Sequence, residues 1–337
     1  MNLIDSVTQC RTPFVVANRS SGKVTALNNT ADCAGLVARC PLRYVLSDNL
    51  TRLCADLAYS KGARTVAYAD LLHAPAETLW VEWCNEPWES ALQQYGFPLI
   101  PVGAQWVGRR GAWVRASRDG RRGLVRTFWS ASAADVLASS VEAYFDFDTA
   151  AGEEPEPPDA KAGFAGRVYD GERSDEDILG RCFRFRYEQS WSEYYGSAGL
   201  ASELKLAVWR HAVGTIAMDI PMLLVFFLLL ATRNGLPQQP QSREHLNRRR
   251  RRCGKAPLLD HIEVRAPMLP EYRNCLRGEP QTTRSSPRLH HVRGHLVRRG
   301  SQIFWRVPHL RGSARSGVVR TRTVTWTFER EVAGRMH

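Results

Sequence analysis

Twelve consecutive apolar residues, "IPMLLVFFLLLA" from Ile220 to Ala231, constrain the fold more than any other stretch of this chain. Such a run has two ordinary destinations, a lipid bilayer or a protein interior. A spanning helix needs about 20 apolar residues. Here Arg210, His211 and Asp219 stand before the run and Arg233 follows it. Extending the run upstream would carry Asp219 into the bilayer, with Pro221 already inside the run. The reading is therefore a fully buried core helix with no membrane partner.

A core helix requires something to pack on, and the residues before it supply strands. "TLWVEWC" (Thr78–Cys84) alternates as a strand does, and Leu50, Leu53, Cys54 and Leu57 fall at helical spacing within Asp48–Ser60. Ala104 to Trp129 holds two or three short strands, with Asp119-Gly120 as a hairpin turn, and Val141–Asp148 adds another. The expected fold class is α+β. It combines an antiparallel N-terminal sheet, a helical middle containing the apolar helix, and a basic β-rich C-terminal region. The predicted divisions are residues 1–148 for the first domain, 149–175 for an acidic linker or loop, 176–236 for a helical segment and 237–337 for the basic region. "TAAGEEPEPPDAKAG" (Thr149–Gly163) has almost nothing to bury. Ser174–Asp177 reads as a helix start leading to Ile178, Cys182 and Phe185. A second helix is expected over Ala198–Val213. Asn234-Gly235 reads as the cap that closes the helical block, and the Pro-Gln run at 237–241 as a break. Further on, strands are expected over Asp260–Arg265, Arg288–Arg298, Gln302–Val307 and Val318–Phe328. The second and third of these form a hairpin across Arg299-Gly300-Ser301.

Charge divides the chain unevenly. From Pro237 to His337 there are 22 Lys and Arg against 7 Asp and Glu, a balance of +15, which leaves −3 for residues 1–236. All but one of those cations are arginine, whose planar fork suits phosphate and base edges. Arg248–Arg252 is an unbroken run, with Lys255 close behind. Arg293, His295, Arg298, Arg299, Trp305 and Arg311 follow in "LHHVRGHLVRRGSQIFWRVPHLRG" (Leu289–Gly312). Arginine, histidine and an aromatic together offer phosphate contacts and a stacking face, so these residues form the candidate nucleic-acid-binding set, for DNA or RNA. An acidic protein partner is the alternative occupant.

The same block raises a metal question. On one continuous strand His291 and His295 share a side, and His309 on a partner strand would add a third ligand, a set suited to zinc. The interleaved arginines repel a cation, and the nearest carboxylates in sequence are Glu279 and Glu329. The expectation is no metal and no cofactor. Catalytic signatures are missing: there is no phosphate-binding glycine loop, no dinucleotide fingerprint, no H-E-x-x-H and no G-x-S-x-G. Glu82, Glu86 and Glu89 could hold magnesium, but read better as solvent-facing partners for Arg109, Arg110, Arg121 and Arg122. A metal-dependent nuclease using the histidine hairpin is a further alternative, and Asp260-His261 resembles the Asp-His of some such enzymes; otherwise the chain reads as no enzyme. Eight scattered cysteines without a CxxC pair, and a start lacking a signal-peptide pattern, point to a cytoplasmic chain with reduced thiols.

Two blocks resemble a family of uncharacterised phage and prophage proteins. "LNRRRRRCGKAPLLDHIEVR" (Leu246–Arg265) is similar to its L-N-x-x-R followed by G-K-x-P-L-x-D-H. The histidine block is similar to its H-x-V-R-G-H followed by an aromatic strand ending P-H-x-R-G. The likeness covers roughly Ile220–Gly312 and implies an origin in a mobile genetic element, with no catalytic residue to carry over.

Overall fold

The computed structural model describes residues 2–10, 14–17, 24–27, 29–59, 65–96, 108–130, 136–150, 178–197, 201–233, 235–266, 288–292, 294–306, 309–311 and 313–318. The acidic stretch from 151, the expected helix start at 174–177 and the terminal strand beyond Val318 lie outside these residues.

In chain order the elements begin with α1 (Leu3–Gln9), β1 (Phe14–Ala17), β2 (Val24–Leu27), α2 (Asn29–Ala38), β3 (Leu42–Leu46) and α3 (Asp48–Tyr59). A 3-10 turn (Thr65–Leu71) leads to β4 (Thr78–Cys84), α4 (Asn85–Gln94), β5 (Arg109–Ala116), β6 (Arg122–Ser130), β7 (Val136–Ala138) and β8 (Val141–Asp146). Then come α5 (Ile178–Cys182), β9 (Phe183–Tyr187), α6 (Gln189–Ser197), α7 (Ser202–Ala217) and α8 (Ile220–Leu230). β10 (Gln238–Gln241), α9 (Glu244–Arg252) and β11 (His261–Val264) complete the larger unit, Met1–Pro267 with Arg298–Phe304.

Its frame is a nine-stranded sheet in the order β10-β11-β3-β4-β5-β6-β8-β9, with β7 paired to β6. The fold is α+β as expected, but the sheet is mixed. β11 and β4 run parallel to β3 on either side of it, while β5, β6, β8 and β9 continue antiparallel. The β5–β6 hairpin turns at Gly120, whose φ of 71° brings its Cα against Ala74; a Cβ there would lie 2.3 Å from the Ala74 carbonyl oxygen.

Alternation along the strands sorts the core onto two faces. One face carries Trp80, Trp113, Leu124, Phe128 and Tyr144, covered by Leu3, Ile4 and Val7 of α1 and Cys33 and Val37 of α2. The other meets α3 and α8, where Tyr44 of β3 sets its ring edge-on to Phe226 at 5.6 Å. Ile220 and every residue from Met222 to Leu229 are buried. Each such side chain contributes about 1.5–3 kcal/mol relative to exposure. The apolar run is thus a core helix, α8. α7 and α8 follow each other directly, and Glu203–Leu230 together make a 28-residue helical stretch apolar enough to cross a membrane by length and composition, with 72% of its apolar window buried in the protein.

Asp219 explains why that helix belongs on the sheet. It is 1% exposed and receives Arg110 Nη1 from β5 at 3.1 and 3.2 Å on its two oxygens. Arg110 Nε donates to Asn85 Oδ1 at 2.7 Å, and the guanidinium lies 4.1 Å from the Trp88 ring centre. The one carboxylate in the apolar stretch therefore finds its counter-ion on the sheet, where lipid would offer none. Burial pushes its carboxyl up to about 6, and Arg110 opposes that shift.

Other expectations need correction. Phe185 does not follow Cys182 along a helix. The helix stops at Cys182 and "FRFRY" alternates as β9, burying Phe183 and Phe185 against β8. The Pro-Gln run is no break, because Gln238–Gln241 pairs with β11 as β10. Pro240 is tolerated there because, among the described residues, β10 is an edge strand with a neighbour on one side only. α7, α8, β10 and β11 all belong to the unit that holds the N-terminal strands.

The second unit, Met268–Val297 with Trp305–His337, contains β12 (Arg288–Val292), the start of β13 (His295–Arg299), the end of β14 (Gln302–Arg306), β15 (His309–Arg311) and β16 (Ser313–Val318). β12 pairs with β15 and β16, and β13 pairs with β14 across Gly300 at φ 60°.

Candidate nucleic-acid interface

Arg248–Arg252 lie on α9, a nine-residue helix with no buried residue. Five adjacent cations repel one another, and yet this end of a helix favours them, because the negative end of the helix dipole stabilises positive charge in the last turn. The helix closes through Gly254 in the left-handed region at φ 64°. Gly254 N–H donates to the Arg251 carbonyl at 3.1 Å and Lys255 N–H to the Arg250 carbonyl at 2.9 Å, a Schellman cap.

The helix is tied down at its base. Asn247 clasps Leu258 from both sides, its Nδ2 donating to the carbonyl at 2.8 Å and its Oδ1 accepting the N–H at 2.7 Å. Arg250 Nε donates to the Ala256 carbonyl at 2.7 Å, and Asp260 Oδ1 accepts Arg243 N–H at 2.5 Å. Asp5 of α1 in turn accepts Leu259 N–H at 2.8 Å; burial raises its carboxyl above the usual range. His261 sits 7% exposed beside Asn2, its basicity lowered by burial. Asp260-His261 thus lies where α9, α1 and β11 meet.

Most of the outward charge is cationic, and Glu244, His245 and Leu246 share the exposed surface of the helix. Arg248, Arg249, Arg251, Arg252 and Lys255 are exposed. Arg248 meets Glu244 at 2.6 Å, a pair open to solvent and worth little. Arg251 Nε reaches the Asn247 carbonyl only at 3.4 Å.

The remaining predicted residues divide between the two units. Arg298 and Arg299 belong to the larger unit; Arg298 forks onto Asp70 at 3.0 and 2.7 Å, and Arg299 lies 5.9 Å from the Phe304 ring centre. Exposed His295 and Arg311, and Trp305, fall in the second unit. Trp305 is 4% exposed, whereas stacking on a base requires an open ring face. Arg293 lies outside the described residues. In place of the single strand expected from Arg288 to Arg298 there are two, β12 and β13, which puts His291 and His295 in different sheets. β15 sets Leu310, not His309, opposite His291, and pairs His309 with Val292. The backbone therefore removes the pairing on which the zinc set rested.

The carboxylates expected at the surface divide as well. Glu82 is fully buried and receives Leu3 N–H at 2.8 Å, Ile4 N–H at 3.0 Å, Trp80 Nε1 at 3.2 Å and Arg109 Nε, which fastens α1 to the sheet. Arg109 is its partner as expected, in the interior instead of in solvent. Arg110 pairs with Asp219, Arg121 with Asp148 and Arg122 with Asp146. Glu86 is exposed and Glu89 half-buried on α4, so no magnesium set forms with Glu82. Among the described residues no three His, Cys, Asp or Glu side chains converge as metal ligands. Burial pushes the thiols of Cys40, Cys84 and Cys182 up to about 11, which suits packing better than nucleophilic attack.

Sequence reasoning missed the Asn247 clasp, the Asp260 contact and the Glu82 staple. An Asn three residues before an Arg, ahead of G-K-x-P-L-x-D-H, was the available signal for the first two. No protein family, curated protein or solved structure matches the chain, so its reading rests on its own residues.

Proposed function

We propose that the protein is a non-enzymatic, nucleic-acid-associated accessory protein of phage or prophage type, acting in the cytoplasm, and that α9 is its contact element. The observation that carries this reading is a helix seated by hydrogen bonds to Leu258 and Ala256 that exposes Arg248, Arg249, Arg251 and Arg252. Between Arg243 and Lys255 seven cations face one carboxylate, Glu244. Binding free energy is then dominated by phosphate contacts and counterion release.

The test is affinity for nucleic acid as a function of salt. Each neutralised phosphate adds about −0.9 to the slope of log K against log salt on duplex DNA. Replacing Arg248, Arg249 and Arg252 together by Ala removes about three contacts and flattens the slope by about 2.7 units, alike on unrelated sequences. Full-length protein that binds neither duplex nor single-stranded nucleic acid at low salt refutes the reading. It would leave an acidic protein as the occupant of this surface.

A further inference from the structure

The directions of the α9 cations, beyond their number, narrow the ligand. Successive residues of a helix are turned by about 100°. Asn247 and Arg250 bind Leu258 and Ala256 and so mark the side that faces the protein. Measured from the opposite, outward direction, Arg252 lies within about 10° of straight out. Arg248 and Arg249 lie about 50° to either side, and Arg251 about 110° round on the Arg248 side. Exposed His245 joins Arg252 at the crest. The charge therefore fans from the crest down both flanks.

A flat acidic surface would engage the crest and leave the flanks in water. A concave surface with a negative wall on each side engages all of it. The major groove of B-form DNA is about 12 Å wide and takes a single α-helix, itself about 10–12 Å across with side chains. Nine residues rise about 13.5 Å, enough to follow the groove for a few base pairs. A-form RNA keeps its major groove deep and narrow and cannot admit the helix. Resting on the proposed function, we infer that α9 enters the major groove of duplex DNA, with Arg248 and Arg249 reaching opposite phosphate walls and Arg252 facing the groove floor.

The experiment uses the full chain with four probes of one length at low salt: duplex DNA, duplex RNA of the same sequence, single-stranded DNA, and duplex DNA whose thymines carry a bulky substituent at C5, which fills the major groove. Unmodified duplex DNA is expected to bind about tenfold tighter than the C5-modified duplex and the RNA duplex. In Arg248→Ala/Arg249→Ala/Arg252→Ala that preference is expected to vanish, with the thermal midpoint of unfolding unchanged as a check on folding. Equal affinity for the modified and unmodified DNA duplexes, or tighter binding to duplex RNA or single strands, overturns groove entry while leaving polyanion binding intact. Binding to none of the four overturns both.

Discussion

Removing either partner of the Arg110–Asp219 pair is expected to destabilise the protein by about 3–5 kcal/mol, because a buried charge is left without its counter-ion. The residues are 6% and 1% exposed, so water cannot replace the lost partner. In Asp219→Ala the guanidinium loses both carboxylate oxygens that accept from Nη1, while Asn85 Oδ1 and the Trp88 ring stay beside it; in Arg110→Met the carboxylate loses both of its contacts from Nη1. Against a typical total of about 5–15 kcal/mol, either loss is severe. Exchanging both at once, Arg110→Met with Asp219→Leu, removes both charges, and stability should return to within about 1–2 kcal/mol of the parent. Acidity gives a second readout. The Asp219 carboxyl titrates near 3.8 in an ordinary setting and near 6 in the folded protein, so between those values the folded state holds the extra proton. Its contribution to stability therefore falls as pH rises from 3.8 to 6 and is constant above, about 3 kcal/mol in all. Asp219→Asn should abolish that part of the pH dependence. Urea unfolding followed by tryptophan fluorescence at a series of pH values measures each quantity. Single variants that lose less than about 1 kcal/mol, or a double variant that loses the sum of both, would refute the claim that the pair fastens α8 to the sheet.

The supports of α9 and the interior position of Trp305 can be checked more briefly. Asn247→Ala deletes both hydrogen bonds to Leu258 and should cost about 1–3 kcal/mol, seen as faster amide hydrogen exchange across α9; unchanged exchange would mean the clasp does not hold the helix. Trp305→Ala should lower stability by about 3–5 kcal/mol while single-stranded DNA affinity stays as it was; the reverse pattern would restore the stacking role.

Local elements were legible because their signals are local. The Asp48–Tyr59 helix, the Thr78–Cys84 strand and the Asp119-Gly120 hairpin each repeat at their own short period. Parallel pairing has no such signature. β11 joins β3 across more than two hundred residues, and nothing in "HIEV" announces a partner at "LRYVL". That is why the sheet was expected to be antiparallel, and why residues 237–264 were assigned elsewhere. Glu82 was hidden for a related reason: alternation places it opposite Leu79 and Val81, but only the arrival of α1 on that face supplies the N–H donors that make burial of a carboxylate tolerable.

The arginine run shows a different limit of sequence reading. Five identical side chains look equivalent, and a count of five phosphate contacts follows from treating them so. Helical geometry divides them instead. Arg250 turns inward and is held by Ala256, and beside it Asn247 and Gly254 direct their hydrogen bonds to backbone groups of the same motif. Those residues build the support; Arg248, Arg249 and Arg252 are what the support presents. Polyanion affinity should therefore track three or four charges instead of five, lowering the expected salt slope from about −4.5 to about −3. The resemblance pattern L-N-x-x-R…G-K-x-P-L-x-D-H specifies the supporting residues and leaves the positions at 248, 249, 251 and 252 open. A chain that kept the pattern but carried neutral residues at those four positions would seat the same helix in the same cap and clasp, and would have nothing with which to hold a phosphate.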